Sequence, residues 1–348
     1  MLDKEEILKV REHLEKAQSP LFYFDNDQDG LCSYLLLRRF YNKGNGVPVK
    51  TSPLGMEYIR RIDEFYPDYV FILDQPTVSN EFFEAIRQKN IPIVWIDHHE
   101  VDKDSLPDYV NYFNPLYSSK KSSEPVTKIC YEITKRKEDL WISIAGCLSD
   151  KFFPKEYNEF SKLYPDLSLD SKDPFKLFYE SGIGKLSRMI GMGLKDRTSL
   201  VMKMIRFLIQ ARTPYEVLEE KSENINLHRR FNEINSKLQK LVNKAKSEIT
   251  LSKLLFFKYS GDTSMSSDLS NKLSYEIPEK FIVVAFLRGS RVNISIRGKN
   301  AKKTIKKAIK EFSLAKFGGH KDAVGAQMNE DELDKFKENI EKILDQKS

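Results

Sequence analysis

The chain has 348 residues, about twice the usual length of one domain, and its 40% hydrophobic and 31% charged residues describe two folded domains rather than disorder. Lys and Arg number 57 against 51 Asp and Glu, a net charge of +6 that is compatible with an anionic partner without demanding one. No apolar run reaches the roughly 18 residues of a membrane span, the charged helical start does not read as a signal peptide, and three scattered cysteines (Cys32, Cys130, Cys147) suit a reducing cytoplasm better than a disulfide framework or a zinc knuckle.

In chain order, Leu21–Phe24 reads as a strand and Leu31–Tyr41 as the helix after it. Tyr69–Leu73 is a second strand, followed by a helix near Glu81–Lys89, and Ile91–Ile96 is a third. These strands are apolar on both faces, as in a parallel sheet covered by helices, so the first half is expected to be a doubly wound α/β domain. Leu140–Leu148 reads as a buried helix, and Pro154, Pro165 and Pro174 punctuate a helical stretch beyond it. Leu227, Phe231, Ile234, Leu238 and Leu241 alternate steps of four and three, the seam of a long connecting helix over Asn226–Ser247. Lys253–Tyr259, Phe281–Leu287 and Val292–Arg297 read as strands, with helices at Ala301–Phe312 and Glu330–Leu344, giving a second, smaller α/β or α+β domain.

The positions of the acids carry the functional signal. The first strand runs into Asp25-Asn26-Asp27-Gln28-Asp29-Gly30, the second into Asp74, the third into Asp97-His98-His99, and the buried helix ends at Asp150. Ligands of open parallel sheets bind beyond the carboxyl ends of the strands, so these side chains should meet on one rim. Any one Asp there reads equally well as a helix N-cap. A calcium loop at Asp25 is excluded because its twelfth position is Leu36 rather than Glu. Six aspartates on one rim repel one another and need cations; oxygen donors with one or two imidazoles suit Mn²⁺ or Mg²⁺ better than Zn²⁺. A carboxylate able to bridge would hold two ions roughly 4 Å apart, the arrangement used in phosphoryl chemistry. Later, Gly318-Gly319-His320 offers a backbone nest for phosphate, with Arg297 on the strand ahead and Arg288 and Arg291 nearby. Lys185, Arg188, Lys195 and Arg197, and then Lys302, Lys303, Lys306 and Lys307, offer a path for a strand backbone or are solvated helix faces. His13 and His228 lie on predicted helices away from these motifs and read as packing residues.

The four acidic motifs, with Gly318-Gly319-His320, Ala323 and Gly325, resemble the signatures of the DHH phosphoesterase superfamily and its associated C-terminal DHHA1 domain, over residues 21 to about 328. The resemblance implies a catalytic domain at 1–195, a helical linker at 196–248 and a substrate-binding domain at 249–348, with the active site in the cleft between them. It implies two Mn²⁺ or Mg²⁺ ions held by Asp25, Asp27, Asp29, Asp74, His98 and Asp150, with Asp74 as the bridge. His99 would contact the scissile phosphate and Asp97 would orient the histidines, while Arg297, Gly318, Gly319 and His320 would hold substrate phosphates. Within the superfamily, DNDQDG is most similar to RecJ-type exonucleases, and the length fits a compact, archaeal-like form without an OB-fold. Gln28 and Val324 depart from the usual Ala without removing a ligand. The implied substrate is single-stranded DNA or RNA, in repair or RNA degradation, with replication or repair proteins as further partners. The alternative is a nanoRNase or dinucleotide phosphodiesterase acting on 2–5 nucleotides, against which stands Asp25 where that branch carries His.

Overall fold

The computed structural model describes residues 1–312 and 316–346. The chain divides into two units, Met1–Phe231 and Asn232–Ser348. No helix among the described residues is long and apolar enough to cross a membrane.

The first unit is built on five parallel strands: β1 (Pro20–Asp25), β2 (Asn45–Val49), β3 (Tyr69–Leu73), β4 (Ile93–Ile96) and β5 (Val110–Phe113). Their order in the sheet is β2-β1-β3-β4-β5. Its helices are α1 (Lys4–Lys16), α2 (Gln28–Tyr41), α3 (Arg60–Phe65), α4 (Asn80–Arg87), α5 (Val126–Thr134), α6 (Leu140–Ser149), α7 (Tyr157–Leu163), α8 (Pro174–Glu180), α9 (Gly182–Gly193), α10 (Thr198–Gln210) and α11 (Pro214–Leu218). The central strands are buried on both faces because helices cover each side: Tyr23, Ile72 and Trp95 pack against Phe82, Phe83 and Ile86 of α4. The edge strands β2 and β5 escape the sequence reading. NGVPV carries Gly and Pro, and VNYF is short and half polar, so neither shows a continuous apolar run.

The division falls inside α12 (Ile225–Ser247). Its buried stripe is Leu227, Phe231, Ile234, Leu238, then Val242 and Ala245. The expected seam at Leu241 moves one position on, as a straight helix of 3.6 residues per turn drifts off a 3.5 repeat. The second unit has a mixed sheet of β6 (Leu254–Ser260), β7 (Phe281–Arg288), β8 (Arg291–Arg297), β9 (Lys316–Gly319) and β10 (Ala323–Asn329), ordered β6-β7-β8-β10-β9. Among the described residues, β6 and β7 run parallel and the other neighbours are antiparallel. α13 (Ser266–Glu276), α14 (Ala301–Ala308) and α15 (Leu333–Asp345) complete it. Its core joins Val283, Ile294 and Ile296 of the sheet to Ile305 of α14 and Phe336 and Ile340 of α15.

Arg288 and Arg291 pair at the β7–β8 turn, at the far end of β8 from Arg297. At strand rise this is about 20 Å, so the expected arginine cluster does not form. The glycine pair forms part of the β9–β10 hairpin rather than an open nest, since His320 N–H donates to the Ala323 carbonyl (2.9 Å). Gly319 has φ +127°, and a Cβ there would lie 2.4 Å from the Ala323 oxygen. His13 packs edge-on to Tyr69 and Phe113, and His228 Nε2 lies 3.0 Å from the Val217 carbonyl. Cys32, Cys130 and Cys147 are free and buried.

Candidate metal centre

Strand order makes the site. An order of 2-1-3-4-5 places the topological switch between β1 and β3, where connections leave the sheet in opposite directions and open a crevice. Asp25 ends β1, and Asp74 directly follows β3, its neighbour in the sheet. Asp97, His98 and His99 follow β4, the next strand along, and Asp150 is the C-cap of the buried helix α6.

Asp27 is the N-cap of α2, its Oδ1 accepting the Gly30 N–H (2.9 Å). Gly30 is required because a Cβ would fall 2.4 Å from the Asp25 oxygen, so α2 could not come this close to β1. Asp29 is fully buried, and its two oxygens accept the backbone N–H groups of Val126 (2.8 Å) and Thr127 (2.7 Å). It thereby caps α5, whose own N-cap residue is Pro125 and has no capping side chain. Gln28 fills a notch over Gly191, where a Cβ would lie 2.3 Å from Nε2.

Within the first unit, three groups of donor atoms lie close enough to share a cation: Asp25, Asp27 and Asp74; Asp29, Asp74 and His98; and Asp74, Asp97 and His99. Asp74 belongs to all three. It adopts φ +60°, a left-handed conformation uncommon outside glycine that marks a constrained site. Its Oδ1 is buried without a hydrogen-bond donor, 3.3 Å from His98 Nε2, and that same nitrogen lies 3.4 Å from Asp150 Oδ2. A buried carboxylate oxygen with no donor is costly unless a cation takes its place. The oxygen-rich donor set fits a hard divalent ion.

The electrostatics describe the same need. Burial, then the charge of Asp27, pushes Asp25 up to about 8. Burial, then Asp150, pushes Asp27 up to about 6. Burial and the surrounding carboxylates hold Asp29 and Asp74 well above the ordinary range. Burial lowers His98, which favours the neutral imidazole that metal coordination requires. Burial opposes protonation of His99 as well, but its hydrogen bond to Asp97 and the nearby carboxylates outweigh this and raise it to about 9.

Asp97 is fully buried and sits 2.8 Å from His99 Nδ1, which leaves Nε2 as the nitrogen turned away from that bond. Tyr112 donates to the other Asp97 oxygen (3.3 Å). Asn114 donates to the Tyr112 hydroxyl (2.7 Å) and to the His99 carbonyl (2.8 Å). The sequence reading missed Tyr112 and Asn114. Tyr112 lies in β5, whose half-polar pattern hid the strand itself, and Asn114 directly follows it.

In the second unit, Arg297 ends β8, with Gly318 and Gly319 on β9 and His320 exposed in the turn. β10 lies between, pairing Ala323 with Arg297 and Val324 with Gly319, so the two features stand about 10 Å apart, two strand spacings. Val324 is buried. Arg297 donates to Asn271 Oδ1 (2.7 Å) and Ser267 Oγ (3.2 Å) of α13, which fixes its guanidinium.

The DHH family N-terminal domain matches residues 21–149 and the DHHA1 domain residues 231–346. No curated protein matches the chain in sequence. Among solved structures, it resembles the Mn²⁺ complex of RecJ from Thermus thermophilus, with TM-score 0.69 and 14% identity over 97% of this chain and 54% of that one. The chain thus spans about half the length of that protein. A DHH domain described as a member of a family of ribosomal proteins gives TM-score 0.71 at 13% identity, covering 98% of this chain and 90% of the other. A pGpG-specific phosphodiesterase from Vibrio cholerae gives TM-score 0.51 at 13% identity, covering 95% and 100%. At such identities the likeness is one of fold.

Proposed function

Because the chain joins a DHH domain to a DHHA1 domain, we propose that it is a cytoplasmic two-metal-ion phosphodiester hydrolase, a RecJ-like exonuclease on single-stranded DNA or RNA. The observation that carries this reading is Asp74, whose buried carboxylate, on a left-handed backbone, belongs to each of the three cation-sized groups within the first unit. Asp25, Asp27 and Asp74 would hold one Mn²⁺ or Mg²⁺, and Asp29, Asp74, His98 and Asp150 a second. The pair would supply the Lewis acidity that neutralises charge developing on a phosphodiester and activates water at neutral pH. Asp97 fixes the direction of His99 and favours its protonated form, whose Nε2–H would donate to a non-bridging or leaving oxygen of the scissile phosphate. Arg297, Gly318, Gly319 and His320 supply phosphate contacts from the second domain, with Arg297 suited to a bidentate one.

The second reading, a phosphodiesterase confined to dinucleotides and very short oligomers, is favoured by the match to the full length of the Vibrio enzyme. Digestion of end-labelled single strands of 2 to roughly 30 nucleotides with Mn²⁺ separates them. Stepwise loss from one end of long strands is the expected result, stopped by EDTA and restored better by Mn²⁺ than by Zn²⁺. Turnover restricted to the shortest substrates assigns the second activity, and turnover unaffected by EDTA rejects the metal mechanism.

A further inference from the structure

Beyond the metal rim, the second unit carries a charge arrangement that its own stability does not explain. From Lys299 to Phe312 the chain has six lysines and one acid. Ala301, Thr304, Ile305 and Ala308 bury the inner face of α14, and Lys303, Lys306 and Lys307 project from the opposite face into solvent, with exposed Lys310 in the next turn. Spacings of three and four place these like charges beside one another, which weakens a helix. Lys302 and Lys303 also sit in its first turn, where the helix dipole disfavours cations. The one acid, Glu311, is engaged by Lys335 at 2.9 Å. Among the described residues, Lys303, Lys306, Lys307 and Lys310 form no ion pair.

The stripe is anchored at a meaningful place. Lys302 N–H donates to the Lys321 carbonyl, and Gly298 N–H donates to that of Asp322, so the turn bearing His320 and exposed Lys321 is tied to the start of α14. Arg297 ends β8, and exposed Lys299 lies in the connection that leads into the helix. Cations therefore continue from the proposed phosphate contacts out along α14. The span from Lys303 to Lys310 is about 10 Å, enough for about three phosphates of a single strand.

We propose that the outer face of α14 is a backbone-tracking site for single-stranded nucleic acid, which grips successive phosphates of a long substrate. This rests on the nuclease reading and deepens it, since a dinucleotide is too short to use the site. The contacts are to phosphates, so they carry length preference and salt dependence but no base preference.

The test compares the full chain with its Lys303→Gln/Lys306→Gln/Lys307→Gln/Lys310→Gln variant. A control loses the same charge elsewhere, through Gln at Lys4, Lys135, Lys137 and Lys155. Fluorescence anisotropy in EDTA measures binding of a labelled single strand of about 20 nucleotides across a salt series, and Mn²⁺-supported turnover is measured on that strand and on a dinucleotide. The α14 variant should bind the long strand at least tenfold more weakly near 0.1 M salt. The slope of log K against log salt should flatten by about 2, at about 0.7 for each phosphate no longer neutralised. KM for the long strand should rise in parallel, with dinucleotide turnover unchanged. An unchanged slope, an equal effect in the control, or an equal loss on the dinucleotide overturns the proposal. If the wild-type chain hydrolyses neither substrate, the nuclease reading fails, and the EDTA binding series still decides whether α14 tracks a nucleic-acid backbone.

Discussion

Asp74 gathers several structural costs in one residue. Its left-handed backbone, its burial and its donorless oxygen are each unfavourable in a metal-free protein. Asn keeps the volume and tolerates this backbone while removing the charge. Asp74→Asn is therefore expected to raise the metal-free melting temperature by about 2–4 °C, in line with relief of one to two kcal/mol. It should also weaken Mn²⁺ binding by more than the ~10–100-fold typical of losing a ligand's supporting partner, and abolish hydrolysis. Calorimetry with Mn²⁺ and a melting curve check both halves; a variant that binds Mn²⁺ like the wild type would remove Asp74 from the shared position.

Among the elements, β5 is short and only half apolar, yet it carries the clamp on His99. Tyr112 of β5 and Asn114, the residue directly after it, reach Asp97 and the His99 backbone, and neither belongs to a cation-sized group among the described residues. Asn114→Ala and Tyr112→Phe should lower kcat by about 10–100-fold, the usual cost of removing a supporting hydrogen bond at such a centre. Mn²⁺ affinity should stay within about threefold, because neither residue touches Asp74, His98 or Asp150. A parallel loss of Mn²⁺ binding would show that β5 supports the ligands themselves. The elements legible in the sequence were those with unbroken apolar runs, such as β3 and β4, or an amphipathic period, such as α12. α13 and β10 went unread because Ser-rich and Gly-Ala-rich segments show neither pattern.

Across the molecule, crowding of carboxylates in the first unit couples stability to pH and metal. The folded values of about 8 for Asp25 and about 6 for Asp27 lie above the unfolded value near 4. Groups raised on folding contribute stability that is fully present below the unfolded value and lost as pH rises through the folded one. The metal-free chain should therefore lose stability between about pH 4 and pH 8 from this source. Mn²⁺, which takes the deprotonated carboxylates, should raise the melting temperature more at pH 8 than at pH 5. Thermal melts with EDTA and with Mn²⁺ at both pH values measure this. An Mn²⁺ increment that shrinks with pH would show that the cluster is not where the ion binds.

The placement of the rim acids and histidines was legible along the chain, because an acid or histidine in covalent register with the end of a strand stays there in any packing of that strand. The two α/β units were legible too, because burial periodicity is local. Strand order emerged only on folding, because hydrogen bonding between distant segments leaves no trace in local pattern. That order sets β1 beside β3 and so brings Asp25 and Asp27 to Asp74. The left-handed turn at Asp74, the capping of α5 by Asp29 and the reach of Tyr112 to Asp97 are likewise products of packing. Each depends on a partner between 15 and about 100 residues away, or on a backbone constraint that no residue type announces.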